Sequence, residues 1–135
     1  MDSELKRVIY VSEKTDFSET CLNSIIDSSE RNNPKDLVTG SLLSGSNSFL
    51  QLVEGPPLSV DNLFLKISKD NRHKNIVKLC DEMIRDRLFS SWSMKHMPFN
   101  NLEWSGGSLD AGNFLELTPN EAVNIFTRIN EYGNL

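Results

Sequence analysis

Two polar side chains lie inside segments of the sequence that are otherwise apolar. Gln51 is at the centre of the run FLQLV (49–53), and Tyr10 is at the centre of VIYVS (8–12). A buried primary amide must find partners for two donors and one acceptor, or it costs about 1–3 kcal/mol. A core glutamine bonded to the backbone and a core tyrosine with its hydroxyl at the rim are the ordinary interpretations. The alternative is that both groups are placed to touch a ligand.

Three further residues add to this pattern. Trp92 and Met94 are two positions apart on a predicted strand and so share one face, which by itself indicates core packing. Asn33 stands at the end of a predicted helix. A small polar cluster of Tyr10, Asn33, Gln51 and either Met94 or Trp92, set in an apolar pocket, is typical of a cofactor site.

Other kinds of site find little support. His73 and His96 are far apart in sequence, and neither has a partner at a familiar metal-ligand spacing, so we predict no metal site. The G-x-G-x-x-G, G-x-x-x-x-G-K-[ST] and G-x-S-x-G motifs are missing from the sequence. Arg72 and His73 could bind an anion, although such a pair more often decorates a surface or caps a helix.

The elements that must position these residues follow from periodicity and capping. Strands are predicted over 5–12, 37–43, 48–53, 76–84 and 92–97, with a hairpin turn at 45–47. Helices are predicted from Ser18 to near Asn33, from Val60 to near Asp70, and after a capping box that begins at Thr118. This order predicts an α+β, ferredoxin-like β-α-β-β-α-β-β sheet with two helices on one face and a C-terminal helical segment on the other. We expect residues 1–98 to form the core and 99–135 a C-terminal cap of the same domain.

The bulk composition limits the function classes. The chain has 135 residues, 38% hydrophobic and 24% charged, with a net charge of −5, which predicts one globular domain without a nucleic-acid or membrane partner. The acidic start and the lack of a long apolar stretch predict a cytoplasmic protein. Cys21 and Cys80 are interpreted as two buried free thiols, with a disulfide as the alternative.

Six blocks of sequence, in this order, resemble the BLUF family (sensors of blue light using flavin) over about residues 5–98. They are VIYVS (8–12), RNNP (31–34), VTG (38–40), FLQLVEGP (49–56), Ile67 with DNRH (70–73), and WSM (92–94). There are two departures. The segment from Tyr10 to Asn33 is one residue shorter than is common in the family, and Val38 stands where isoleucine is usual.

The resemblance implies a role for each matching residue. Tyr10 corresponds to an electron-donating tyrosine, and Gln51 to the glutamine between it and the flavin. Ser12, Trp92 and Met94 correspond to positions tied to switching. The remaining flavin contacts implied by the resemblance are Asn33 and Asn32 at the ring carbonyl side, Ile25 and Ile67 on either side of the ring, and Asp70, Arg72 and His73 near the flavin tail.

The function implied is that of a blue-light photoreceptor that binds flavin non-covalently and is not an enzyme. FAD is the expected cofactor, with FMN and riboflavin as alternatives. Light-driven electron and proton transfer from Tyr10 through Gln51 would rearrange hydrogen bonds and signal to an unidentified effector protein, with homo-oligomerisation left open. The alternatives are a flavin-dependent enzyme on the same ferredoxin-like frame, an acylphosphatase-like enzyme that would use Arg31, Asn32 and Asn33, and a flavin-free interaction module.

Overall fold

The computed structural model describes residues 4–15, 37–44, 47–89, 96–98, 115 and 117–133. The elements in chain order are β1 (Leu5–Lys14), β2 (Thr39–Ser44), β3 (Ser48–Gly55), α1 (Pro57–Ser68), β4 (His73–Ile84), β5 (His96–Pro98) and α2 (Pro119–Gly133). The five strands form one sheet with the order β4-β1-β3-β2-β5, in which β2 and β5 are parallel and the other neighbours are antiparallel.

Each face of the sheet has its own apolar cluster, because successive residues of a strand point to opposite faces. On the face covered by α1, called the α1 face, the buried residues are Val8, Val38, Leu42, Phe49, Val53 and Val60. On the opposite α2 face they are Ile9, Val11, Leu43, Leu50, Leu52, Leu117, Ala122, Ile125 and Phe126. The prediction that the C-terminal helix covers the other side of the sheet is therefore confirmed. The helix predicted over 18–33 lies outside the described residues.

The N-terminus of α2 is fixed by the predicted capping box. The Thr118 N–H donates to Oε1 of Glu121 at 2.9 Å, and the Glu121 N–H donates to Oγ1 of Thr118 at 3.2 Å. This reciprocal pair satisfies two backbone donors that an uncapped helix would leave without partners. The periodic residues Ala122, Ile125 and Phe126 are thereby directed onto the α2 face, where each is fully buried.

The strand boundaries differ from the prediction by a few residues, for local reasons. β2 begins at Thr39 rather than at 37, since Leu37 has a φ of 60° and therefore cannot continue an extended strand. β4 begins at His73 rather than at 76, and the contacts of His73 described below explain that extension. Of the predicted strand 92–97, the structure describes only 96 and 97, in β5.

Gly40 permits the close approach of β2 to β3. A Cβ atom placed at Gly40 would lie 2.0 Å from the Leu52 carbonyl oxygen, a separation that two non-bonded atoms cannot adopt. Gly40 is opposite Val53 in the register, and Leu42 is opposite Gln51. The glycine thus lets β2 pair along the strand that carries the central glutamine.

Candidate functional site

Tyr10 on β1 and Gln51 on β3 are directly opposite each other across the antiparallel pair. Both side chains lie on the α1 face, and each residue is only 4% exposed. The Tyr10 hydroxyl donates a hydrogen bond to Oε1 of Gln51. The buried amide oxygen is therefore satisfied by a phenol from the neighbouring strand.

The Tyr10 phenol is held in its protonated form. Burial raises the pKa of Tyr10 well above its ordinary value, and the charge of Asp70 raises it further, whereas Arg72 acts in the opposite direction. The ring of Phe64, on α1, meets the Tyr10 ring edge-on with the centroids 5.8 Å apart. The phenol is thus fixed in place, with its proton directed at the Gln51 amide.

His73 joins β1 to the end of α1. Its Nδ1 lies 2.7 Å from the Ser12 hydroxyl, and its Nε2 lies 2.7 Å from the Ile67 carbonyl oxygen. Because a carbonyl can only accept, Nε2 carries the hydrogen, and in the neutral imidazole Nδ1 then accepts from Ser12. The His73 ring centroid is 6.0 Å from that of Tyr10, so this chain of bonds lies beside the Tyr10–Gln51 pair.

Asp70 and Arg72 form a compact ion pair on the turn between α1 and β4. Arg72 Nε lies 2.9 and 3.0 Å from the two Asp70 oxygens, Nη2 also contacts the carboxylate, and the Arg72 N–H donates to Oδ1 at 2.9 Å. The hydrogen bonds from the Arg72 side chain are the main reason why the pKa of Asp70 lies below its ordinary value. An anionic ligand at Arg72 would share the guanidinium with this carboxylate.

The structure places seven of the predicted site residues together. Tyr10, Gln51, Ser12 and His73 lie side by side on the α1 face, and Ile67 contributes its carbonyl oxygen to His73. Asp70 and Arg72 lie on the adjoining turn, close enough to change the pKa of Tyr10. The other five predicted residues lie outside the described part of the chain; they are Ile25, Asn32, Asn33, Trp92 and Met94.

Sequence reasoning missed one member of the site. Phe64 falls within the second predicted helix and has no polar group to mark it, yet its ring is an aromatic neighbour of Tyr10. It lies three residues before Ile67, and residues at that spacing share one side of a helix. That spacing was the available signal, because a helix that presents Ile67 to the site also presents Phe64.

Metal and thiol chemistry find no support in the described residues. No group of three or more histidine, cysteine or carboxylate side chains able to hold a metal occurs among them. Cys80 is a half-buried free thiol, and Cys21 lies outside the described residues. Burial, together with the nearby Glu82, raises the pKa of the Cys80 thiol to about 11, so little reactive thiolate is present at neutral pH. Neither described helix is long and apolar enough to cross a bilayer.

Comparison with known proteins identifies the family to which this arrangement belongs. The model of the BLUF family, described as sensors of blue-light using FAD, matches residues 5–95. The chain belongs to the BLUF family. All seven site residues that the structure describes lie within the matched range.

Relatives and solved structures agree with this. The photoactivated adenylate cyclase subunit beta of Euglena gracilis is 32% identical over 95 residues, which cover 69% of this chain but only 11% of that protein. The dark-state structure of the BLUF protein BlrB superposes with a TM-score of 0.78 at 26% identity, covering 98% of this chain and 99% of that one. The photo-activated state of BlsA gives 0.74 at 29% identity, covering 93% of each chain. The ferredoxin-like α+β fold and the resemblance to BLUF domains are both confirmed.

The described residues fit a flavin. Because Oε1 of Gln51 already accepts from Tyr10, the end of the amide that remains for a ligand is its NH₂ group. The edge of an isoalloxazine ring presents carbonyl oxygens and ring nitrogens, which accept hydrogen bonds. A buried donor beside a phenol, on an apolar face, is the kind of surface such a ring edge requires.

Proposed function

We propose that this BLUF protein is a flavin-binding blue-light photoreceptor in which Tyr10 and Gln51 form the photoactive pair. The observation that carries the proposal is the hydrogen bond from the buried Tyr10 hydroxyl to Oε1 of Gln51 in a chain of this family. Of the described residues, these two combine burial, a direct bond and a phenol that can give up an electron. The proposal requires no substrate and no catalytic residue.

The flavin, when bound, supplies absorption of blue light and, once excited, a strong oxidant. Tyr10 would give up an electron to the excited flavin, and its hydroxyl proton would move along the existing bond to Oε1 of Gln51. When the electron and proton return to Tyr10, the Gln51 amide is left rotated or in its other tautomer. Its donor and acceptor ends are then exchanged toward the ligand, while the net composition of the protein is unchanged.

The remaining residues would hold the flavin in place. Ile67 lies on α1, Asp70 and Arg72 lie on the following turn, and His73 begins β4. Asn32, Asn33 and Ile25 complete the proposed binding set, and Ser12, Trp92 and Met94 the switching set. The family description favours FAD. Chromatography of the flavin released from the purified protein distinguishes FAD from FMN and riboflavin.

We propose that the sensor passes on its signal through a contact with another protein. The Euglena relative, in which the matching segment is 11% of a longer chain, is named as a cyclase subunit, so a light-sensing segment can act on other protein parts. For this chain we propose an effector protein of unassigned identity in the cytoplasm. A homo-oligomer is a further arrangement that size-exclusion chromatography in the dark and in the light would detect.

The test is the visible spectrum of the purified protein in the dark and just after blue light. We expect a flavin spectrum that moves slightly to the red and relaxes in darkness. Tyr10→Phe and Gln51→Leu should bind flavin yet lose the reversible shift, whereas Tyr132→Phe, at the only other tyrosine, should keep it. Bound flavin without a reversible shift in the unmodified protein would overturn the photoreceptor, and a colourless protein would overturn flavin binding itself.

A further inference from the structure

Glu54 is a buried carboxylate that the photoactive pair does not use. It lies three residues after Gln51 on β3 and points to the opposite, α2 face. Its residue is 0% exposed. Oε1 accepts from the Phe89 N–H at 2.6 Å, and Oε2 accepts from Arg7 Nε at 3.1 Å. Each oxygen therefore has its own donor.

A carboxylate at this buried position carries a large desolvation cost. Removing it from water costs several kcal/mol before its partners compensate, and an apolar side chain of similar size is often at least as stable. Burial accordingly raises the pKa of Glu54, against the effects of the Phe89 and Leu88 N–H groups and of Arg7. The stability of the sheet alone does not explain this residue.

Glu54 shares its two strands with the photoactive pair. Arg7 and Glu54 are directly opposite each other across β1 and β3, in the same register that pairs Tyr10 with Gln51. The two pairs are about 10 Å apart along the strands, at roughly 3.3 Å per residue. The same two strands therefore connect the Gln51 site to Glu54, whose side chain lies on the other face of the sheet.

The segment that follows β4 is hydrogen-bonded to β3 at Glu54. Arg87 donates to the Glu54 carbonyl at 3.1 Å, to Oγ1 of Thr39 at 2.8 Å and to the Leu37 carbonyl at 2.8 Å. Phe89, whose N–H is held by the Glu54 carboxylate, meets the ring of Phe126 edge-on at 6.4 Å. Through this contact Glu54 positions a side chain that packs directly on α2.

We propose that Glu54 is a positioning residue that couples the state of Gln51 to α2, by holding the backbone of Phe89 and so setting the packing of Phe89 on Phe126. The inference rests on the proposed photoreceptor function, since it concerns how a light-induced change at Gln51 reaches α2. Its physical content is that the Phe89–Phe126 contact differs between dark and light, and that the Glu54 carboxylate is what makes it differ.

The test compares Glu54→Gln with the unmodified, flavin-loaded protein. Glutamine keeps the shape of Glu54, but its NH₂ group must face either the Phe89 N–H or Arg7, so only one of the two bonds survives. The matched control is Glu82→Gln, because Glu82 also contacts Arg7, at 3.4 Å, but is 51% exposed in its side chain. Two quantities are measured, the red shift and the light-minus-dark difference in hydrogen exchange of residues 119–133.

We expect Glu54→Gln to keep the red shift and lose the exchange difference, and Glu82→Gln to keep both. The inference is overturned if Glu54→Gln keeps the exchange difference, if Glu82→Gln loses it equally, or if the unmodified protein shifts to the red without any change in α2. Absence of the red shift in the unmodified protein overturns the photoreceptor function instead.

A second variant decides the matter if Glu54→Gln does not fold. Phe89→Leu keeps the N–H that Glu54 accepts but removes the ring that contacts Phe126. It should likewise keep the red shift and lose the response of α2. A Phe89→Leu protein with a full α2 response would overturn the inference.

Discussion

The Tyr10 hydroxyl and the Gln51 amide oxygen satisfy each other inside the sheet, with no more than 4% of either residue exposed. Their bond joins neighbouring strands at residues that are direct partners in the register. Removing one partner would leave the other buried without it, whereas removing both would leave neither group of the pair unsatisfied. The stability of the site is therefore a property of the pair.

A double-mutant cycle measures this property. We expect Tyr10→Phe and Gln51→Leu each to lower the free energy of unfolding by about 1–3 kcal/mol, because each leaves one buried polar group unsatisfied. The double variant should lose less than the sum of the two, since replacing both partners by apolar groups is close to neutral. Urea unfolding at saturating flavin is the measurement, and strictly additive losses would contradict the pairing.

The Ser12–His73 bond should also contribute to stability. Ser12→Ala leaves Nδ1 of His73 without its donor at a buried position, so we expect a loss of about 1 kcal/mol in urea unfolding. The matched control is Ser68→Ala, whose hydroxyl donates to the Leu65 carbonyl on the exposed side of α1. That variant should change the free energy of unfolding by less than about 0.5 kcal/mol. Equal losses in both variants would show that burial of the Ser12 bond is unimportant.

Much of the fold could be predicted from the sequence because its signals are local. The capping box at Thr118 and the apolar spacing of α2 are both read within a few residues, and the structure has them as expected. The beginning of β4 could not be predicted in this way. Its first residue, His73, is fixed by bonds to Ser12 and Ile67, and the Ser12 partner lies 61 positions away in sequence.

In the candidate site, too, some residues are marked by the local sequence and others only by contacts with distant residues. Gln51 could be found because a lone amide in an apolar run is conspicuous, and its proximity to Tyr10 followed from the family resemblance. Glu54, in the same strand, cannot be recognised from the sequence, because a glutamate next to a Gly-Pro pair is ordinarily exposed to solvent. Its burial depends on Arg7 and Phe89, which lie 47 and 35 positions away, and on the helix packed over them.

Among the described strands, Gly40→Ala should be one of the most destabilising substitutions that add a single carbon atom. The added Cβ would lie 2.0 Å from the Leu52 carbonyl oxygen, which belongs to the paired strand and cannot turn aside as a flexible side chain could. We expect a loss of at least about 3 kcal/mol in the free energy of unfolding, by overpacking and broken strand pairing. At Gly55 the equivalent atom would lie 2.9 Å from the Leu37 carbonyl oxygen, so Gly55→Ala should cost less. The reverse order in thermal or urea unfolding would contradict this account.

Asp70 should make the stability of the protein depend on pH. Hydrogen bonds from the Arg72 side chain are the main cause that lowers the pKa of Asp70 in the folded state from an ordinary value of 3.8. The folded protein therefore binds this proton less readily than the unfolded chain does. The resulting stability is fully present above pH 3.8 and is lost as the pH falls through the lower, folded-state pKa.

We accordingly expect Asp70→Asn to be less stable than the unmodified protein at pH 7, by about 0.5–1 kcal/mol for a pair that is partly exposed to solvent. The difference should shrink as the pH is lowered below 4 and disappear once Asp70 is protonated in both states. Asp86→Asn, at an exposed carboxylate, controls for the removal of one negative charge from an acidic protein. A stability difference for Asp70→Asn that is the same at pH 7 and at pH 3 would rule out the ion pair with Arg72 as its source.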